Sequence, residues 1–335
     1  MLSAKPEPAS GGPGGAAPLV SVLLPVYNGS SYLKEAIESI LNQSYAGFEL
    51  IIINDGSKDN SVSIIEQFDD PRIRFYSQAN MGLAATLNRG IGLAKGAYLA
   101  RQDQDDLSLP TRLEKQVHFL DTHPECGIVG SWASIYVEGS RSRLSFRHPG
   151  DNVMLQFRLL FNNPFVHSSM MIRKAVFREV GIYCTDKSRQ PPEDYELWSR
   201  VARKFSVANI PEVLNIYRET SSSMSRTGVN PFLAKVVAIS AENLALLMGK
   251  EGPGQDLKNL SALYNGAYDK VSAPLNLRAL SSLVFQAARR LDPGMSPRLY
   301  TKGVFPCMAK LYCRYLLYLS QMLKRARANH SSEGV

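Results

Sequence analysis

The chain has 335 residues, of which 44% are hydrophobic, enough for one large α/β domain of roughly 200 to 250 residues and a smaller appendage. The formal charge of +8 is concentrated after residue 230, where 14 Lys and Arg stand against 6 Asp and Glu. The four cysteines lack the spacing of zinc or disulfide frameworks, and no run of about 18 uncharged apolar residues is present, so we expect a cytosolic or peripherally membrane-bound protein in a reducing compartment.

The first 18 residues are rich in Gly, Pro, Ala and Ser, which is typical of a disordered tail. Order is predicted from Leu19. A continuous apolar run over 20–26 predicts a buried strand, and the next apolar residues recur at helical spacing as far as Leu41. Ser30 or Ser31 is placed to cap that helix, so the two segments form one strand-and-helix unit.

Three further strand-and-helix units follow. The strands are predicted at 48–53, 73–77 and 97–102, and the helices at 59–68, 83–94 and 111–121. Strands that alternate with helices at this spacing pair in parallel through right-handed crossovers. Residues 19–125 are therefore predicted to form a doubly wound half of an α/β fold, whose ligands should lie beyond the carboxyl ends of the strands.

The pattern is less regular afterwards. Extended segments are predicted at 128–137, 163–172 and 207–217, and helices at 153–161, 174–180 and 195–204. Near Asn230 the composition shifts, and helices are predicted at 232–248, 275–290 and 308–327. We therefore divide the chain into a tail at 1–18, an α/β domain at 19–229 and a basic helical region at 230–335.

A cluster of carboxylates, Asp103, Asp105 and Asp106, follows the fourth predicted strand. Carboxylates this close repel one another, and at the end of a buried strand they are costly unless a cation lies among them. Hard oxygen ligands suit Mg²⁺ or Mn²⁺, and Mg²⁺ is usually held by one or two carboxylates together with substrate phosphates. The alternative is a solvated acidic turn before a helix that begins near Pro110.

With these stretches in order, the chain resembles the family 2 glycosyltransferases of GT-A fold, which are inverting enzymes that use nucleotide sugars. The resemblance covers about residues 19 to 226 and rests on five stretches in the order of the family. They are Val20 to Asn28, Ile53 to Ser61, Asn80 to Ala84, Asp103 to Asp106, and Glu193 to Trp198. It implies a doubly wound, mixed but mainly parallel sheet flanked by helices, followed by a C-terminal helical appendage.

The resemblance assigns the nucleotide to the loops after the first two strands. By position, Tyr27 and Asp55 contact the base and the ribose, since an aromatic ring can stack on a base and a carboxylate can accept from a base N–H or a ribose hydroxyl. The alternatives are a packing residue at Tyr27 and an Asx turn at Asp55. The other residues predicted on the nucleotide-sugar side are Pro25, Asn28, Gly56, Asn80, Gly82, Arg101, Asp103, Gln104 and Arg218.

The resemblance also implies a metal site and a base. Asp105 binds the divalent ion, Mn²⁺ or Mg²⁺, and Asp103 lies between the ion and the sugar nucleotide; the ion neutralises charge on the departing diphosphate. Asp194, at the start of a helix, takes the role of the base that accepts the proton of the acceptor hydroxyl, and Glu193 supports it or contacts the acceptor. The alternative for Asp194 is a helix cap.

One motif departs from the family pattern. Members often carry Tyr-Arg-x-His before Ser-x-Ser, whereas this chain has Thr220 where the His is expected. That metal ligand is then absent or replaced by water, and Arg218 or Arg226 carries more of the diphosphate charge. His167 is a candidate substitute, although a lone His that enters an apolar strand is typical of a packing residue.

These assignments predict transfer of a sugar from a nucleotide sugar, with UDP favoured by family frequency, to a saccharide or lipid-linked saccharide in polysaccharide biosynthesis. One rival is a catalytically inactive GT-A-like binding or scaffolding subunit, against which the retained aspartates argue. Another is a nucleotidyltransferase, whose first turn needs a cation that Asn28 to Ser31 do not supply. No nucleic-acid partner is expected, and a homo-oligomer is left open.

The last predicted helix is basic and amphipathic. Apolar residues from Leu311 to Leu323 recur at helical spacing, while Lys310, Arg314 and Lys324 fall towards another face. Such a helix can lie in an anionic membrane surface, which predicts peripheral contact through 305–327 and a location in the cytoplasm or at the inner face of the membrane. Packing of the same apolar residues against the protein or a second subunit is the alternative.

Overall fold

A computed structural model describes residues 19–137, 144–219 and 231–332, with side chains described as far as 324. The predicted tail and the stretch from Thr220 to Arg226 lie outside the described residues. The chain divides into two compact units. The first consists of residues up to Asn152 with Pro164–Lys187 and Glu196–Asn230; the second consists of Val153–Asn163, Ser188–Tyr195 and the residues from Pro231 onwards.

The first unit is built on a mixed sheet of nine strands. The strands are β1 (Val20–Val26), β2 (Phe48–Asp55), β3 (Ile73–Gln78), β4 (Tyr98–Arg101), β5 (Leu107–Ser108), β6 (Cys126–Val137), β7 (Leu144–Phe146), β8 (Met171–Arg173) and β9 (Ser206–Glu219). Their order in the sheet is β3-β2-β1-β4-β8-β6-β9-β5, and β7 pairs with β6.

The predicted parallel half is confirmed, since β1 lies between β2 and β4 and pairs in parallel with both, and β3 pairs in parallel with β2. Every residue of β2 is buried, as a strand covered on both faces requires. Beyond β4 the sheet reverses, because β8 pairs antiparallel with β4 and with β6. The carboxyl ends of β1, β2 and β4 therefore meet at one edge, which carries the loops after β1 and β2 and the acidic cluster after β4.

Helices flank this sheet and build the second unit. They are α1 (Leu33–Leu41), α2 (Ser61–Ile65), α3 (Leu83–Leu93), α4 (Arg112–Thr122), α5 (Asn152–Leu159), α6 (Val176–Val180), α7 (Glu193–Ala202), α8 (Leu233–Leu247), α9 (Gln255–Asn265), α10 (Leu277–Leu291), α11 (Pro297–Leu299) and α12 (Phe305–Ser332). In the first unit, α1 and α4 place apolar side chains at helical spacing against the sheet: Leu33, Ile37, Ile40, Leu113, Val117 and Leu120.

The predicted serine cap of α1 is wrong. The N-cap position is Tyr32, later than Ser30 and Ser31. The carbonyl of Gly29 accepts from the backbone N–H of Tyr32 and of the next residue at 3.2 Å, so a turn occupies the serine positions. Ser30 donates its backbone N–H to Asp59 at 2.9 Å, which ties this turn to the loop after β2.

The second unit has its own apolar core, formed by α5, α8, α9, α10 and α12. The sequence analysis missed α9, although Gly254 at its N-cap and Gly266 in the left-handed conformation at its C-cap are start and stop signals. Among the described residues, none of the helices combines the length and the hydropathy needed to span a bilayer. The predicted domain boundary near residue 230 stays a prediction.

Candidate active site

The side chain of Gln104 ties the loop after β1 to the acidic cluster. Its Oε1 accepts the backbone N–H of Tyr27 at 2.8 Å, and its Nε2 donates to the Tyr27 carbonyl at 3.1 Å. Both bonds use the Tyr27 backbone, and the residue is 48% exposed. The packing alternative for Tyr27 therefore does not fit, and its ring is accessible for stacking on a base.

The loops after β1 and β2 are joined through Asn28. This residue has a left-handed backbone, with φ 49°. Its N–H donates to Ser57 Oγ at 3.0 Å, and its Oδ1 accepts the backbone N–H of Lys58 at 2.8 Å. Pro25, also predicted on the nucleotide side, lies within β1 and is half-buried. The two loops to which the family resemblance assigns the nucleotide are thus in contact.

Asp55 is buried at the end of β2 and organises the loop that starts α3. Its Oδ1 accepts from Gln78 Nε2 at 2.7 Å and from the backbone N–H of Met81 at 2.8 Å, while its Oδ2 accepts the N–H of Gly82 at 2.9 Å. The turn that follows Asp55 is stabilised instead by Asn54, whose Oδ1 accepts the N–H of Ser57, three residues later, at 3.0 Å. Because a carboxylate offers about four acceptor positions, one position on Asp55 Oδ2 is left for a ligand.

Gly56 must be glycine for the same corner to close. Its φ is +77°, and a Cβ there would lie 2.8 Å from the backbone nitrogen of Asn80. Asn80 is exposed, and Gly82 is the N-cap of α3 with φ 86°. The second and third stretches of the family resemblance therefore form one corner beyond β2.

The carboxylates of the acidic cluster disfavour one another's charge, as the sequence predicts. Burial, together with the charge of Asp103, raises the pKa of Asp105 to about 6. The same two causes raise the pKa of Asp106 well above its usual value. Since Asp106 is fully buried, the alternative of a solvated acidic turn does not fit.

The aspartates of the cluster have different surroundings. Asp106 accepts from the hydroxyl of Ser168 and from the backbone N–H of Arg218, the latter at 2.9 Å. Within the described chain, the Asp105 carboxylate accepts no hydrogen bond from another residue, so its oxygens are available. Asp106, whose place in the site the sequence left open, anchors the loop, whereas Asp105 is free to bind a ligand.

Arg112, which was not predicted from the sequence, stabilises the strand end and the loop around the acidic cluster. Its buried guanidinium donates to the carbonyls of Arg101 and Met170 at 2.7 and 3.2 Å, and to Ser108 Oγ and Gln102 Oε1 at 2.8 and 3.2 Å. Burial, and then the nearby charge of Arg101, lower the pKa of Arg112 to about 9. The available signal was a polar pair, Arg112 and Gln116, one turn apart on an otherwise apolar helix face.

We expect Arg112→Met to destabilise the protein by roughly 3 kcal/mol or more, because two carbonyls and the side chains of Gln102, Ser108 and Gln116 lose a buried donor. Urea unfolding measures this. Lys115→Met is the matched control on α4, since Lys115 forms an exposed ion pair with Glu212, and such pairs contribute about 1 kcal/mol or less. Equal losses in the two variants would contradict the supporting role of Arg112.

Two arginines predicted on the nucleotide-sugar side, Arg101 and Arg218, are already paired. Arg101 is buried and forms an ion pair with Asp103, while its Nε has no hydrogen-bond partner in the described chain. Arg218 pairs with Glu35 and lies over the ring of Tyr32, 4.8 Å from the ring centroid. The roles of both arginines towards a nucleotide sugar stay proposals.

His167 is a packing residue here. Its Nε2 lies 3.0 Å from the hydroxyl of Tyr183, and its ring packs edge-on against Trp198 at 5.9 Å between centroids. Burial, with the charge of Arg101, lowers the pKa of His167 well below its usual value, so the ring is neutral. The structure therefore favours the packing interpretation over a substitute metal ligand.

Glu193 and Asp194 belong to the second unit, as the first two residues of α7. Asp194 Oδ2 accepts from Asn163 Nδ2 at 2.7 Å, and its Oδ1 accepts the N–H of Tyr195 at 2.7 Å. Glu193 is buried. Asp194 thus lies inside the first turn rather than at the N-cap position, and two neighbours fix its carboxylate.

The carboxylate oxygens of Asp103 and Asp105 suit a hard divalent ion only when substrate phosphates supply further ligands. Among the described residues, no group of three Asp, Glu, His or Cys side chains is arranged to hold a metal ion. The open oxygens of Asp105 and the partly exposed carboxylate of Asp103 fit an ion that also binds a diphosphate.

A mixed sheet that carries an acidic loop beyond β4 defines the GT-A class of fold, and two solved structures agree. Residues covering 91% of the chain match 91% of S. aureus TarS 1-349 in complex with UDP-GlcNAc, at 18% identity and a TM-score of 0.60. The mannosyltransferase PcManGT from Pyrobaculum calidifontis, in complex with GDP-Man and Mn²⁺, matches over 91% of this chain and 88% of its own, at 17% identity and a TM-score of 0.54.

Sequence relatives place the chain within this class. The model of glycosyl transferase family 2 matches residues 21–181. An uncharacterized glycosyltransferase of Haemophilus influenzae is 35% identical over 70% of this chain and 76% of its own length. The putative glycosyltransferase EpsE of Bacillus subtilis is 38% identical over 62% of this chain and 76% of its own length. The chain belongs to glycosyltransferase family 2.

Proposed function

We propose that the protein moves a sugar from a nucleotide sugar, with UDP favoured, to a hydroxyl of a saccharide or lipid-linked saccharide, with inversion. The observation that carries this proposal is the acidic loop after β4, where Asp105 is open to a ligand and its pKa is raised. TarS was solved with UDP-GlcNAc and PcManGT with GDP-Man and Mn²⁺, which supports a nucleotide-sugar donor and a divalent ion here.

The nucleotide would bind between the loops after β1 and β2. The exposed ring of Tyr27 offers a stacking face for the base. Asp55 keeps one acceptor position on Oδ2 for a base N–H or a ribose hydroxyl. Since Gln104, Gly56 and Asn28 fix these loops, little ordering is needed on binding.

Asp105 and Asp103 are the residues that would hold Mn²⁺ or Mg²⁺ together with the diphosphate. When bound, the ion neutralises charge that develops on the leaving diphosphate. Asp106 stays out of this set because it is fully buried, where it accepts from Ser168 and from the N–H of Arg218. Arg101 holds Asp103 in place through their ion pair.

Asp194 is the proposed base. The acceptor hydroxyl oxygen forms a bond to the anomeric carbon while the bond from that carbon to the diphosphate oxygen breaks, and the hydroxyl proton passes to Asp194. The nucleoside diphosphate leaves from the opposite face, which inverts the configuration. The contacts from Asn163 and Tyr195 support this role because they orient the carboxylate.

Nucleotide preference tests the proposal. With Mn²⁺ present, UDP at about 100 times its Kd should stabilise the protein by roughly 2.7 kcal/mol, or about 5 to 10 °C in Tm. A nucleotide sugar should also be hydrolysed slowly without acceptor, and a screen of nucleotide sugars would then identify the donor. Stronger stabilisation by UTP than by UDP would favour a nucleotidyltransferase, and UDP binding without hydrolysis of any nucleotide sugar would favour an inactive binding subunit.

A further inference from the structure

Exposed large apolar side chains are concentrated near the C-terminal helix of the second unit. Of the fourteen such side chains in the described residues, eight lie between Tyr300 and Leu323. Those on α12 are Phe305, Tyr312, Leu316, Leu317, Leu319, Met322 and Leu323, and the exposed fraction reaches 63% at both ends. A contiguous apolar surface of this kind marks an interaction site more often than it stays in water.

Five of these residues lie along one line of the helix. At about 100° per residue, Phe305, Tyr312, Leu316, Leu319 and Leu323 fall within roughly 60° of one another, over a length of about 27 Å. We call these five residues the outer stripe. It is long enough to contact a flat surface along five turns of the helix.

A different face of α12 attaches the helix to its own unit. Cys307, Leu311 and Tyr318 are buried in the core of the second unit, roughly 130° around the helix from the outer stripe. The single apolar stripe predicted from sequence is therefore divided into a packed face and an exposed one. Packing within the second unit therefore accounts for the apolar side chain of Leu311, but it does not account for the exposed side chains of the outer stripe.

The charge of α12 selects what covers the stripe. Its sequence contains five basic residues, Lys310, Arg314, Lys324, Arg325 and Arg327, and no Asp or Glu. Lys310 lies over the ring of Tyr264 at 3.8 Å, so it serves the packed face, whereas Lys324 is exposed about 100° around the helix from Leu323, at the side of the outer stripe. A second copy of this helix would bring like charges together without a carboxylate to balance them, whereas an anionic surface would attract them.

We propose that the outer stripe docks into the surface of an anionic lipid bilayer. The helix lies flat, its apolar side chains enter the boundary between headgroups and acyl chains, and basic residues such as Lys324 meet the headgroups. Burial of each large apolar side chain and attraction of each cation then act together. The outer stripe contains none of the residues proposed to bind the nucleotide sugar, and its test needs no catalytic activity.

Removal of α12 is a poor test, because Leu311 and Tyr318 stabilise the core of the second unit. The test variant is instead Tyr312→Ser/Leu316→Gln/Leu323→Gln, which changes exposed residues only. The matched control, Leu144→Gln/Ile182→Gln/Leu246→Gln, alters three comparably exposed apolar residues elsewhere. Flotation is measured with vesicles of phosphatidylcholine alone and of phosphatidylcholine mixed with phosphatidylglycerol, at low and high salt.

We expect the wild type and the control to float with the anionic vesicles at low salt, and the stripe variant to bind at least about 30-fold more weakly. High salt should weaken wild-type binding by about tenfold or more. Absence of wild-type binding, or equal binding by the stripe variant, would overturn the proposal. A dimer in sedimentation that the stripe variant alone dissociates, without vesicle binding, would assign the stripe to a second copy. Unchanged nucleotide-sugar hydrolysis in the stripe variant keeps this result separate from the proposed reaction.

Discussion

Asp105→Asn should lower the Mn²⁺-dependent affinity for UDP by at least about 100-fold. The substitution keeps the shape of the side chain and removes a charged oxygen ligand, and even the loss of a group that only supports a metal ligand costs roughly 10- to 100-fold. Titration calorimetry of UDP with and without Mn²⁺ measures the change. Metal-independent nucleotide affinity should change little, because Tyr27 and Asp55 lie on other loops.

The same variant should make the ligand-free protein more stable at neutral pH. The folded-state pKa of Asp105, about 6, lies above the unfolded value of 3.8, so the folded state binds this proton more tightly. The stability contributed by the protonated group is present at acid pH and is lost as the pH rises from about 4 through 6. An asparagine side chain does not ionise, so Asp105→Asn avoids this loss of stability. We expect its free energy of unfolding to exceed that of the wild type by roughly 1 to 3 kcal/mol at pH 7.5, and the difference to disappear near pH 4.

Asp69→Asn is the matched control, because it removes an exposed carboxylate of the first unit without touching the acidic loop. Its effects on stability and on UDP affinity should both be small. A merely structural Asp105 would lower stability when replaced, whereas a ligand-binding Asp105 raises stability and loses affinity. Unchanged Mn²⁺-dependent affinity in Asp105→Asn would rule out the metal role.

The parallel half of the sheet was predictable because its physics is local. A parallel strand buried on both faces is a continuous apolar run, and the run over 20–26 coincides with β1. Helices that cover such a sheet repeat their apolar residues at 3 or 4 positions, as Leu33, Ile37 and Ile40 do. Parallel pairing then places the polar turns at one edge, so Asp55 and the acidic cluster could be grouped from sequence.

The groups that support these turns were not predictable, because they act over long sequence separations. The contact of Gln104 with Tyr27 spans 77 residues, and that of Ser168 with Asp106 spans 62. The sequence around a glutamine or a serine does not indicate which distant residue will form a hydrogen bond with its side chain. The same holds for the second unit, which takes in residues 153–163 and 188–195 from the middle of the chain, where composition gives no signal.

Asp194→Asn should lower the rate of sugar transfer by about 10² to 10⁴ while UDP affinity stays within roughly twofold, the pattern expected when a general base is lost. The amide cannot accept the hydroxyl proton at neutral pH. Because an Asn side chain has one acceptor oxygen, it can satisfy either Asn163 or the Tyr195 N–H, and Asn163 can rotate its own amide to compensate. Folding should therefore be preserved, and single-turnover transfer with the identified donor is the measurement.

Two further variants separate catalysis from helix stability. Asp256→Asn removes an exposed aspartate from the first turn of α9 in the same unit, so it reproduces the loss of a favourable helix-dipole contact without a catalytic role. Asn163→Ala leaves the Asp194 carboxylate intact but less well oriented, and its rate should fall between wild type and Asp194→Asn.

A normal rate in Asp194→Asn would move the base elsewhere, with Glu193 as the next candidate, since it occupies the same turn of α7. A large loss of UDP affinity in Asp194→Asn would instead assign this carboxylate to donor binding.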